Sequence, residues 1–301
     1  MDNTSDFLIR GVINELNVRF TFVETTATVT EAIMVHSADP LCALTFGKAI
    51  TVGALIAPLL NGDEKYSIKW EYEGLLGSIL VDVNSKCDVR GIPKETMLMD
   101  RVGTNEELYG DNGQISLIKA DNGRILNSGT SAAGLLDISD DISFYMATSD
   151  QLETEFLTAA GFNPDPEHPV KMFAGFMIQA MPDCDLEQFD EFRTNMQLGS
   201  AVTILAAKDM PVEKKLWKLL ETVIGNNMSY PEIDQNFGVS YEFSSSPSYS
   251  CPCNRDKMKA AVLLLGKPEL KEIFEANGET KITCQFCNTK YVFGADEFDL
   301  S

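Results

Sequence analysis

The sequence of 301 residues is 44% hydrophobic and 23% charged with no long biased tract, which predicts a sizeable core and two domains, one of them small. Net charge is −21; from Cys251 to Ser301 seven Lys/Arg nearly offset eight Asp/Glu, leaving 17 basic against 37 acidic side chains before that point. Nucleic-acid binding draws on phosphate neutralisation by basic groups, so this balance argues against it, most strongly for the first 250 residues.

The start, MDNTSDFLIRG, has no basic segment followed by an apolar run, so no secretory signal is expected. Val18 to Val23 is β-prone after a turn-like Asn14 to Asn17, and a helix start follows before residue 35. Asp39-Pro40 reads as an N-cap with proline at the first helical position, opening a mostly buried helix that runs to about Leu60. The most apolar part, Ala49 to Leu60, is too short to span a bilayer and contains Pro58. The expectation is a soluble, cytoplasmic chain with no membrane partner.

Tyr66 to Tyr72 and Ser78 to Val83 alternate as strands around Gly74 and Gly77, and further strands are expected at 114–119 and 172–180. The segment DISFYMATS, from Asp141, reads as an N-capped helix. Strands and helices without regular βαβ spacing predict an α+β fold, with a mixed-sheet domain over 1–182. A helical linker region is expected over 183–230. There Leu186, Phe189, Phe192 and Met196 fall at helical spacing, and a second helix, opened by Pro211 and closed by Gly225, carries Leu216, Leu219 and Leu220. Both stripes need a partner and should pack on the neighbouring domain at rest. The polar SSSPSYS tract then leads flexibly into a C-terminal domain placed at 231–301.

That last module reads as one unit. Asn254 caps a helix ending at Gly266, Pro268 opens a second helix ending at Asn277-Gly278, and a hairpin follows with Gln285-Phe286 at its tip. The seven cysteines fall into two classes. Cys42, Cys87 and Cys184 are scattered and expected as unpaired, packed thiols. Cys251 and Cys253 (C-P-C) and Cys284 and Cys287 (C-Q-F-C) form two tight pairs. The two-residue gap lets Cys284 and Cys287 face one metal across a turn, with Asn288 suited to the left-handed backbone such a turn needs. Cys251 and Cys253 complete an all-thiolate tetrahedral set, which favours zinc over an iron–sulfur cluster. A module this small has little core, so metal loss should unfold it. Chemistry alone leaves open a permanently closed structural site or a redox switch: bound thiolates meet oxidants in reactive form, and a Cys251–Cys253 disulfide would be strained and easily reduced.

The module CPC…CQFC, the helices NRDKMKAAVLLLGKPELKEIF between, and CNTKYVF after resemble the 33-kDa heat-shock protein family of redox-regulated chaperones. The stretches TEAIMVHSADPLCALTFGKAITVGALIAPLL, LLGSILVDVNSKCDVRG and FAGFMIQAMP extend the resemblance over nearly the whole chain. It implies one zinc per chain in the reduced form, with the chaperone off. Oxidation would then join Cys251 with Cys253 and Cys284 with Cys287, release the metal, disorder module and linker, and expose apolar surface to unfolding client proteins. The resemblance also implies a homodimer when oxidised and an ATP-independent holdase rather than an enzyme. The two helical stripes are the candidate client surface, and no G-x-x-x-x-G-K-[ST] or G-x-G-x-x-G nucleotide loop occurs. Tyr72-Glu73-Gly74 and Ile92-Pro93-Lys94 depart from the family's pattern in loops away from the switch.

Three rival readings are weaker. A thiol–disulfide oxidoreductase would place C-x-x-C at a helix start, whereas here it lies between β-prone segments. A zinc-ribbon nucleic-acid module is disfavoured by charge. A hydrolase lacks a nucleophile motif beside either histidine: His36 is expected as a hydrogen-bonded structural residue and His168 in an exposed loop.

Overall fold

The structure is a computed structural model and describes residues 6–165, 169–207 and 209–299. His168 lies outside the described residues. The chain divides into two compact units, Met1–Tyr249 and Ser250–Ser301.

In chain order the first unit contains β1 (Phe7–Ile13), β2 (Val18–Glu24), α1 (Thr26–His36), α2 (Pro40–Ile56), β3 (Glu64–Tyr72), β4 (Ser78–Asn84) and β5 (Asp88–Pro93). Next come α3 (Asn105–Tyr109), β6 (Gly113–Asp121), β7 (Arg124–Ala132), α4 (Ile138–Thr148), β8 (Thr154–Phe162) and β9 (Val170–Ala180). It closes with α5 (Leu186–Gln197), α6 (Ser200–Ala206), α7 (Val212–Ile224), α8 (Tyr230–Phe237), β10 (Val239–Phe243) and β11 (Ser248–Tyr249). The second unit holds α9 (Arg255–Leu263), α10 (Lys267–Asn277), β12 (Glu279–Thr283) and β13 (Lys290–Gly294). The α+β expectation holds.

Two sheets organise the first unit. One has strand order β10-β1-β2-β9-β8, all antiparallel; the other runs β11-β5-β4-β3-β6-β7, antiparallel except for the parallel β11–β5 pair. Helix α2 starts as the sequence dictates: the Asp39 carboxylate accepts from the Cys42 N–H at 2.9 Å, and Pro40 needs no donor at that position. Its sides are apolar almost all round and almost all buried, in a core it shares with α1, α4 and both sheets. Gly47 permits this packing, because a Cβ there would sit 2.4 Å from the Phe173 ring. With the 3-10 turn Ala57–Leu59, the helix covers 20 residues, longer than the Ala49–Leu60 stretch considered above. Length and composition alone therefore pass for a membrane span, and its burial in the core identifies a core helix instead.

The opposite face of the β10-β1-β2-β9-β8 sheet carries Phe20, Phe22, Phe176 and Ile178, alternating with Val23, Phe173 and Met177, which face the α2 core. Helices α5 to α8 cover that second face. Phe189, Phe192, Leu216, Leu219 and Leu220 are buried there, each at 2% exposure or less. The resting stripes thus pack on the sheet as expected. Leu186 departs from this pattern: at the first turn of α5 it is 54% exposed and outside the covered stripe.

Other expectations need correction. Boundaries at 182 and 231 do not coincide with the compact units, because the 183–230 helices share the first unit's core and β10 pairs with β1. The tract expected as a flexible lead-in carries β11, whose Ser248 and Tyr249 pair with Asp88 and Val89. Helix α4 begins earlier than Asp141, with Asp137 accepting from the Ser139 N–H; buried Asp141 accepts from the Tyr72 hydroxyl at 2.7 Å. His36 is structural as expected, its Nε2 lying 3.0 Å from the Gly91 carbonyl and 3.2 Å from the Tyr249 hydroxyl.

Candidate metal centre

The second unit is built around its cysteines. Cys251 and Cys253 lie on the extended chain before α9, whose start is fixed by the Asn254 side chain accepting from the Lys257 N–H at 2.9 Å. Lys257 Nζ donates to the Pro252 carbonyl at 2.8 Å, holding the C-P-C bend. Cys284 follows β12 and Cys287 lies in the turn toward β13. The Asn288 N–H donates to the Cys284 carbonyl at 2.8 Å, and Asn288 takes the left-handed backbone (φ 54°) anticipated for it. The knuckle is a hairpin turn, not a helix start, which removes the dipole an oxidoreductase C-x-x-C motif uses.

All four Sγ atoms lie within 4.8 Å of one another. Cys251 and Cys284 approach to 3.7 Å and Cys253 and Cys287 to 3.3 Å. Four sulfurs about 2.3 Å from one tetrahedral ion would be about 3.8 Å apart, so the donor set fits a closed thiolate site. These separations are far above a bonded S–S length of about 2.05 Å, and none of the seven cysteines is joined in a disulfide. Four cysteines in this arrangement can hold a metal ion.

Neighbours tune the sulfurs. Tyr291 Oη lies 3.2 Å from Cys253 Sγ, and Thr289 Oγ1 lies 3.2 Å from Cys287 Sγ. Burial pushes the Cys253 thiol up to about 12, and burial also raises Cys284. At Cys287 burial pulls the same way but is outweighed by hydrogen bonds, from the Thr289 side chain and backbone first, then from Cys253 and Cys284. Its thiol falls to about 7. Cys287 therefore forms a thiolate more readily than Cys253 or Cys284. Sequence reasoning misses the roles of Thr289 and Tyr291. Their places two and four residues after Cys287 are the available signal, with Tyr291 on β13 and Thr289 in the turn before it.

Among the described residues, the buried apolar cluster around the cysteines comprises Val262, Leu270, Phe274, Phe293 and Phe298, with Met258, Ile282 and Tyr291 partly buried against it. Arg255 roofs it, lying 4.5 Å from the Phe293 ring centroid and pairing with Glu297 at 2.7 Å.

Residues 6–294 match the family model described as Hsp33 protein. The chain belongs to the Hsp33 family. The 33 kDa chaperonin of Bacillus subtilis is 26% identical to it, over 98% of this chain and 97% of the relative. That of Bacillus cereus is 28% identical over 97% of each. The solved structure of the 33 kDa chaperonin from Thermotoga maritima superposes with a TM-score of 0.76 at 23% identity, covering 97% of this chain and 96% of the other, a likeness of fold. As an Hsp33-family protein the chain is a redox-regulated chaperone, and neither rival based on C-x-x-C catalysis nor one based on a purely structural metal is favoured.

Proposed function

We propose that Cys251, Cys253, Cys284 and Cys287 hold one zinc ion per chain in the reduced, resting form, and that their oxidation turns on binding of unfolding proteins. The observation that carries this reading is the convergence of four thiols on a unit with a five-residue apolar cluster. When bound, zinc keeps the sulfurs as thiolates and supplies folding free energy of about 10–16 kcal/mol, comparable with the whole stability of a domain.

The chemistry belongs to the sulfurs. A thiolate attacks peroxide to give a sulfenic acid and hydroxide; a second thiolate displaces hydroxide and closes the disulfide. Two electrons pass to each peroxide per disulfide, and four thiolates are consumed. The closest sulfurs at rest lie across the two pairs, whereas the family resemblance implies that oxidation joins Cys251 with Cys253 and Cys284 with Cys287 once the module loosens. With no ligands left, the second unit loses its order.

Loss of order in the helical cover would then uncover Phe189, Phe192, Leu216, Leu219 and Leu220 as client surface, with Leu186 already exposed at its edge. Clients are unfolded or partly unfolded proteins, and the oxidised chain works as a homodimeric holdase without nucleotide and without enzymatic turnover. Seven unbridged cysteines suit a reducing, cytoplasmic compartment. Peroxide with mild heat should release one zinc per chain, oxidise four thiols and confer suppression of client aggregation that reductant reverses. Retention of zinc with unchanged client scattering would leave only a structural site.

A further inference from the structure

The first unit holds a cleft of about 510 Å³ that the switch does not use. It lies on the α2-facing side of the β10-β1-β2-β9-β8 sheet, beyond the end of the helix, where Pro58 and Leu59 of the 3-10 turn form one wall. Period-two alternation puts Arg10 and Val12 of β1 and Arg19 and Thr21 of β2 on this face. The register opposes Arg10 to Glu242 of β10 and to Thr21, and opposes Val12 to Ser240 and to Arg19. Arg19 in turn faces Gln179 on β9.

The two arginines differ in one respect. Arg10 is neutralised, its Nε donating to the Glu242 carboxylate at 2.8 Å. Arg19 has only neutral residues opposite it on both neighbouring strands, and its Nε is buried without an acceptor among the described residues. The chain carries 45 Asp/Glu against 24 Lys/Arg, so a half-buried arginine with no carboxylate on its buried Nε among the described residues is unexpected by simple arithmetic. A buried donor with its hydrogen bond unmade is costly, and a guanidinium fork matches a carboxylate bidentately.

We propose that the cleft binds a small organic carboxylate with an apolar body, its carboxylate on the Arg19 guanidinium. One net positive charge remains after the Arg10–Glu242 pair, which suits a monoanion over a dianion. The volume exceeds that of a simple ion and falls in the usual range of small-molecule sites. Val12, Pro58, Leu59 and Met181 offer the apolar wall, and the Thr21 and Ser240 hydroxyls can donate to the ligand.

The test is calorimetric titration of the reduced, zinc-loaded full chain with octanoate, with octanamide and inorganic phosphate as comparators. Octanoate should bind at one site per chain, about ten-fold or more tightly than octanamide, with phosphate weakest. Arg19→Gln should abolish the preference for the acid, Arg19→Lys should keep part of it, and Val12→Phe should weaken both ligands by filling the cleft. Thermal melts report whether each variant is folded, and Val12→Phe carries the test if Arg19→Gln is not. Equal affinity for octanoate and octanamide, absence of saturable octanoate binding in the millimolar range, or unchanged octanoate affinity in folded Arg19→Gln or Val12→Phe would overturn the proposal.

Discussion

In the first unit Phe20, Phe22, Phe176, Phe189 and Phe192 are buried in one continuous core, and a second core surrounds α2. In the second unit five buried apolar side chains and four thiols do the same task. Burying one large apolar side chain stabilises by about 1.5–3 kcal/mol, and the first unit draws on many times more such burial than the second. The second unit's stability is tied instead to the protonation and oxidation state of sulfur. Placing a chain's least self-sufficient part on its most reactive side chains makes folding itself the readout of redox state.

The strongest way to break the contrast is to take away the ligand set. Chelation under reducing conditions, or Cys284→Ser, should remove about 10–16 kcal/mol of metal-dependent folding free energy. Hydrogen exchange should then show amides of α9, α10, β12 and β13 unprotected, with the strands around α2 unchanged. Equal loss in both units would show that they fold as one.

Next in size are core truncations. Phe192→Ala should cost about 3–5 kcal/mol in denaturant unfolding of the first unit, and Phe293→Ala should cost the second unit a similar amount. Only the latter should be rescued by excess zinc. A Phe192→Ala loss that zinc also restored would dissolve the distinction.

A smaller effect concerns pH at the covering helices. Glu155 on β8 is buried, accepts from Gln197 Nε2 at 2.7 Å and lies 3.3 Å from Arg193 Nε, with Asp140 adding repulsion. Burial outweighs the stabilising partners and raises its carboxyl to about 7 from an ordinary 4.5. Between those values the folded state keeps a proton that the unfolded state gives up. Stability is therefore fully supported below about 4.5 and lost as pH rises through about 7. Glu155→Gln should flatten this slope and raise stability at pH 8 by up to about 3 kcal/mol. A steeper slope in the variant, measured by chemical denaturation across that range, would assign the titration to another group.

The smallest expected change is none at all. Burial lifts the Cys42 thiol to about 12 and the Cys87 thiol higher still. Peroxide that oxidises the four cysteines of the second unit should leave both alkylatable as thiols after unfolding, as peptide mass spectrometry would report.

What could be read from the sequence was local. Asp39-Pro40, Pro211 with Gly225, Asn254, and the C-x-C and C-x-x-C spacings each carry their cause within a few residues, and each stands where expected. What escaped depends on distant partners. β10 pairs with β1 across more than two hundred residues; its VSYEF alternates apolar and polar residues, but five residues are a weak signal and the partner strand lies far away in the chain. β7, an edge strand reading RILNSGTSA, is exposed almost throughout and gave no strand signal either. The order of the polar tract before Cys251 escaped for the same reason, since it rests on a backbone pairing with β5 that composition does not encode.

That pairing gives a melted second unit a fixed point. The Tyr249 hydroxyl donates to the Gly91 carbonyl at 3.1 Å, and β11 is held to β5 two residues before Cys251. A disordered chain beyond this clasp would be a tethered tail with a reach of roughly 40 Å. Its thiols would stay at a local concentration of millimolar order, whatever the dilution of the protein. Re-reduction would thus begin a one-molecule search for the metal-binding geometry, with a rate independent of protein concentration.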